Sequence, residues 1–192
     1  MFLPLKPSRE AIEAFLRSQD DAAFSYPEVG ATRSGVPAGY TVDHHRIRLG
    51  DGPAVFARAH ACLRDWRMFD LGWVGLSGTV PRIQPGTTVA ILVHAYGLWS
   101  VHACRIVYVI DEDDSVRRFG FAYGTLTAHA ERGEERFSVE WHRRDDSVWY
   151  DILAFSRPNH WLARLAHPLS RRLQHRFARD SMRAMARSVT YN

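Results

Sequence analysis

At Phe69 the hydrophobic period of the chain switches from 3.6 residues to 2. It keeps the shorter period through six consecutive segments, roughly 71–79, 87–96, 101–111, 116–126, 134–142 and 147–156. Short polar connections punctuate them: "PRIQPG", "YGLWS", "DEDDS", "TAHAERG" and "HRRDD". Connections this short join antiparallel neighbours, so the six segments predict a meander. One earlier alternating segment, 40–49 ("YTVDHHRIRL"), makes seven strands.

Three stretches keep the helical period. Residues 7–20 place Ile12, Phe15 and Leu16 on one face and read as a short N-terminal helix, followed by a Gly/Pro/Ser-rich loop. The break at Asp51–Pro53 suits a helix start, and residues 53–66 then align Phe56, Ala59, His60, Leu63 and Trp66. From Pro158 to about residue 186 the leucines at 162, 165, 169 and 173 and Phe177 form one stripe. Such a helix is about 45 Å long, and Pro168 should kink or split it.

Only that last helix is long enough to cover the concave apolar face of a seven-stranded sheet. The expectation is an α+β helix-grip fold: a seven-stranded curved antiparallel sheet wrapped around a long C-terminal helix. Residues 1–25 would form a helical arm and 26–192 the helix-grip domain. Where sheet and helix do not fully meet, an apolar cavity remains, the usual seat of a small ligand.

Strand parity assigns the groups in such a cavity. In 134–142, Glu135, Phe137, Val139 and Trp141 share the cavity side, and Glu134 goes with the solvent-side set. In 116–126, Phe121, Tyr123 and Thr125 share one face, and His129 stands on the turn above them. Trp73 is counted with the lining. A buried carboxylate needs a partner, and Arg105 and Arg157 are the cations available to Glu135. The expected ligand-binding set is therefore Trp73, Arg105, Phe121, Tyr123, Thr125, His129, Phe137, Val139, Trp141 and Arg157. Glu135 and Tyr123 form the candidate acid/base pair, with a structural network of the same residues as the alternative. A β-bulge at Gly133 would reverse these assignments.

Other chemistries fit less well. His44 and His45 are neighbours on a strand and point to opposite faces, and His160, His167 and His175 are seven and eight residues apart on a helix. No metal site and no cofactor are expected. Nucleophile motifs such as GxSxG and glycine-rich phosphate loops are absent. From 157 to 187 eight arginines face one acid, Asp180, yet they share their helix with an apolar stripe and fit its solvated side. Nucleic acid is not expected as a partner. The longest apolar run, around Val89–Val93, is too short to span a bilayer, so no integral membrane segment is expected. Cys62 and Cys104 lack any CxxC or metal spacing and read as free buried thiols in a reducing cytoplasm.

Several stretches carry a likeness as a set: "LGDGPAVFARAHACLRDWRMFDLGWV", "ACRIVYVIDE", "RFGFAYGTLTAHAERGEERFSVE" and "VWYDILAFSRPNHWLARLAHPLSRRLQHRFARDSM". Together, from about Tyr26 onward, they resemble the domain-of-unknown-function family DUF nineteen-ninety, through the combination of "FAYGTL", "GEERF" and "SRP". The resemblance implies a place among the helix-grip (START-like, Bet v 1-like, SRPBCC) proteins. Members of that wider group look like binders of lipids, polyketides or hormones, and some are cyclases or aromatases; the resemblance carries over no functional residue. Three functions stay open. One is a module binding an apolar small molecule. A second is a cyclase, dehydratase or isomerase using the same pocket. The third is an interaction protein with a filled core. Monomer and homodimer are both compatible with the sequence.

Overall fold

The computed structural model describes residues 2–77, 80–159 and 167–190. In chain order its elements are β1 (Phe2–Leu3), α1 (Arg9–Arg17), α2 (Ala31–Ser34), β2 (Thr41–Asp51), α3 (Gly52–Arg64), a 3-10 turn (Arg67–Phe69), β3 (Val74–Leu76), β4 (Thr88–Ala95), β5 (Leu98–Asp113), β6 (Val116–Thr125), β7 (Glu131–His142), β8 (Ser147–Pro158) and α4 (His167–Thr190). The seven strands β2 to β8 form one antiparallel sheet in the order β2-β8-β7-β6-β5-β4-β3. Each hairpin connection of the meander pairs consecutive strands, and the long excursion through α3 carries β2 to the far side of β8. The two-residue β1 adds to β5 beside Trp99 and Ser100, an extra pairing too short for periodicity to register.

Local chemistry explains the helix limits. Ser8 caps α1 by accepting the Ala11 amide at 3.2 Å, and a proline opens α3. α3 ends where Trp66 takes a left-handed backbone, φ 58°, and turns the chain into Arg67–Phe69. This delivers Trp66, Met68 and Phe69 onto the concave face of the sheet. Together with Phe56 and Leu63 of α3 and Met185 of α4, they bury Phe121, Phe137, Val139 and Tyr150 in the main core. On the convex side, Ile12 of α1 seals a smaller cluster with Ala90, Leu92 and Val101.

The architecture is the helix-grip expected from the meander, with several boundaries moved. The strand expected over 71–79 shortens to Val74–Leu76, and residues 78 and 79 lie outside the described residues. β5 runs sixteen residues, with a register shift between Ile106 and Tyr108, because β1, β4 and β6 all pair with it. The loop expected after α1 contains the short α2. Pro168 stands in the first turn of α4 as described; the expected stretch 160–166, with Leu162 and Leu165, lies outside the described residues. No slip occurs at Gly133. Gly133, Glu134 and Glu135 pair in sequence with Ser156, Phe155 and Ala154, so the adjacent glutamates do face opposite sides. A Cβ at Gly133 would fall 1.9 Å from the Phe155 carbonyl oxygen, a close approach that only glycine permits.

Candidate functional site

Between the sheet and the N-terminal half of α4 lies a cavity of about 430 Å³. Its wall is apolar on one side, where Trp73, Val74, Ile91 and Val93 face Leu173 and Phe177. At the other side β5, β6 and β7 bring polar groups together: Ser100, His102, Cys104, Tyr123, Thr125 and Glu135, with His129 above them. The exposed side chains Tyr96, Leu98 and Leu169 stand at its rim.

Glu135 is the chemically distinctive member. Tyr123 donates its hydroxyl to Glu135 Oε2 at 2.7 Å. Burial drives the carboxyl pKa up from 4.5 to about 7; the tyrosine hydrogen bond opposes that rise, and Asp43 adds to it. Glu135 is half-buried and lines the cavity. Tyr123 itself is pushed well up by burial and by the neighbouring Glu135 charge, so it stays a donor. His129 is held down at about 4, and His102 lower than usual, chiefly by burial. Both imidazoles are neutral at pH 7. His129 Nδ1 accepts the Glu131 amide at 3.0 Å, which leaves its proton on Nε2.

The expected partners of Glu135 are elsewhere. Arg105 alternates with Cys104 and so leaves on the convex side, donating to the carbonyls of Ala22 (2.8 Å), Gln19 (2.7 Å) and Asp20 (2.8 Å). Arg157 alternates with Ser156 and lies over the Tyr40 ring at 4.3 Å. Each arginine pins an N-terminal segment instead of entering the cavity. Phe121, Phe137, Val139 and Trp141 face the concave side but do not line the cavity, because α3 and its 3-10 turn fill that half. Trp66 approaches Phe121 at 4.5 Å between ring centroids, and Phe69 approaches Phe137 at 5.8 Å. Trp73, Tyr123, Thr125 and His129 do line it.

Glu134, expected at the solvent side, is buried at 2% exposure. The convex face is covered there by the loop after α1. The carboxylate accepts from Tyr26 Oη (2.7 Å), the Gly30 amide (2.7 Å), the Thr32 amide (3.0 Å) and the Thr32 hydroxyl. It organises that loop and the start of α2.

The rim holds a cluster that strand parity alone could half reveal. Asp43 and His45, two apart on β2, share a face, and His175 of α4 meets them; one ligand atom from each lies within 4.8 Å of the others. The resident cation is Arg171. Its guanidinium takes both Asp43 oxygens, one at 2.6 Å, and donates to His175 Nε2 at 3.2 Å. Among the described residues these three could hold a metal, in competition with that guanidinium. The sequence spacing gave no sign of His175, which is brought in by the helix.

A curved sheet closed on a C-terminal helix, with a cavity between them, defines a helix-grip protein. The chain belongs to the family described as "Domain of unknown function (DUF1990)", whose model matches residues 25–184. It is 35% identical over 210 residues to the "UPF0548 protein" of Dictyostelium discoideum, covering 100% of this chain and 97% of that one. It is 38% identical over 204 residues to the "UPF0548 protein" of Deinococcus radiodurans, covering 98% and 99%. Among solved structures it is similar to Ara h 8.0201, with a TM-score of 0.48 at 14% identity over 80% of this chain and 100% of that one. No described helix is long and apolar enough to cross a membrane.

Proposed function

We propose that this protein binds an apolar small molecule in the cavity between its sheet and C-terminal helix. The observation that carries the proposal is the cavity itself. About 430 Å³ of space is lined by aromatic and aliphatic side chains on one side, with a compact polar group around Glu135 on the other. Ligand pockets combine apolar area for affinity with a few convergent polar groups for orientation. The neighbouring half of the concave face is fully packed, so the open half is not a consequence of poor packing throughout. The buried free thiols Cys62 and Cys104 support a reducing compartment, and we place the protein in the cytoplasm.

A second reading has its own support. A carboxyl held near 7 and hydrogen-bonded to a tyrosine is poised for proton transfer, so the pair could serve an isomerase, dehydratase or cyclase. Native mass spectrometry of freshly purified protein separates binding from a filled core. A reproducible apolar adduct, lost in Ala154→Phe, supports binding; an unliganded mass that persists after incubation with lipid and polyketide mixtures removes it. Ala154 pairs with Glu135 across β7 and β8 and lines the cavity, so the phenyl ring enters the space a ligand needs. Turnover of an identified ligand that is lost in Glu135→Gln with binding retained would establish the enzymatic reading.

A further inference from the structure

The charges of the cavity wall are one-sided. The chain carries 25 lysines and arginines, yet among the described residues none lines the cavity, whereas the acids Asp43, Glu131 and Glu135 line it from the concave side. Asp43 is fully engaged by Arg171. The other two are not. Glu131 accepts Ser170 Oγ on one oxygen at 2.8 Å and feels the charge of Arg171, while its other oxygen is buried with no hydrogen-bond partner among the described residues. Glu135 accepts Tyr123 on Oε2, and among the described residues no donor reaches Oε1.

Glu131, Gly133 and Glu135 share one face of β7, with about 13 Å of strand between the Cα atoms of the two glutamates and no side chain at Gly133 to divide them. Among the described residues, the titratable groups that interact with Glu135 are Tyr123 on β6, Cys104 on β5 and Tyr150 on β8, with Asp43 of β2 adding negative charge; none of these is a cation. A largely buried carboxylate without a counter-ion is costly, and the missing counter-ion can arrive with the ligand.

We infer that the cavity selects apolar molecules bearing a basic amine, whose ammonium group is taken by Glu135 with Glu131 reinforcing the field while the apolar body lies against Trp73, Ile91 and Phe177. The inference rests on the proposed binding function and adds the ligand's charge to it. The same geometry disfavours fatty acids and other anionic lipids, which would bring a second negative charge into the same enclosed space.

Three probes of matched skeleton test this by isothermal titration at pH 8: 4-phenylbutylamine, 4-phenylbutan-1-ol and 4-phenylbutanoate. The expected order is amine tightest, by about tenfold or more over the alcohol, with the acid weakest. In Glu135→Gln the amine should lose its advantage and bind at the level of the alcohol measured in the same variant. An alcohol or acid that matches the amine in the wild type overturns the inference and leaves the binding function standing; so does an amine preference that survives in Glu135→Gln. Heat from none of the three, at concentrations up to solubility, overturns the inference, and the native mass after incubation with the mixtures then decides the binding function separately.

Discussion

Two adjacent glutamates carry opposite duties because β7 turns their side chains to opposite faces. Glu134 meets four donors on the convex side and makes a loop part of the fold. Glu135 meets one donor and a cavity, so its ionised form is penalised by burial. For an acid whose folded pKa is raised from 4.5 to about 7, the stabilising contribution is complete below pH 4.5 and is lost as pH rises through 7. Glu135→Gln should therefore stabilise the protein at pH 8 by up to about 3 kcal/mol and change little at pH 4.5, read from urea midpoints at the two values. Glu134→Ala should do the reverse at either pH. Stranding buried donors costs about 3 kcal/mol or more, and amide exchange in residues 26–35 should accelerate. A Glu135→Gln variant less stable than wild type at pH 8 would show that the carboxylate has a counter-ion in the fold. The alternation of the pair is visible in the sequence; the buried fate of Glu134 is not, because nothing local announces that a loop a hundred residues earlier folds over it.

At the scale of elements, α4 is held in two different ways along its length. Toward its C-terminus Ala178, Ala184, Met185 and Val189 are buried, and Ser181 meets Tyr150 Oη at 2.9 Å. Toward its N-terminus, before the ring of Phe177 meets Phe69 and Phe137, the hydrogen bonds to the sheet are polar side-chain ones: Ser170 to Glu131, Arg171 to Asp43, and Gln174 to Ser156 at 3.2 Å. The polar half is the half that roofs the cavity. Packed apolar segments open with nearly the full unfolding free energy, whereas segments held by a few part-exposed polar contacts open locally. Asp43→Asn removes a charge-assisted bidentate pair whose members are 15% and 19% exposed, at a cost of about 1–3 kcal/mol. Hydrogen exchange should then accelerate across residues 169–175 and stay slow across 181–189. Uniform acceleration along the whole helix would mean that its two halves open as one unit.

At the scale of the molecule, the concave face is divided between core and cavity. Phe137 belongs to the packed half, at 0% exposure against Phe69, Phe121 and Phe177, and Phe137→Ala should cost about 3–5 kcal/mol. Val93 lines the open half, where a truncation enlarges space already present, so Val93→Ala should cost about 1 kcal/mol or less. Similar losses in the two variants, measured by denaturant titration, would contradict the division. The sequence by itself determined the strands, their antiparallel order and the covering helix, because alternation and short polar turns are local properties that bind neighbours in the chain. It also determined which face Glu135, Tyr123 and Thr125 share, since parity needs no partner. Only the tertiary structure decided that Trp66 and Phe69 fill one half of the concavity and leave the other open. It also decided that Arg105 and Arg157 pin the N-terminal segments, and that Asp43, Arg171 and His175 meet at the rim. Those outcomes depend on where α3, α4 and the N-terminal segments land on the sheet, a packing result shared among side chains far apart in the chain.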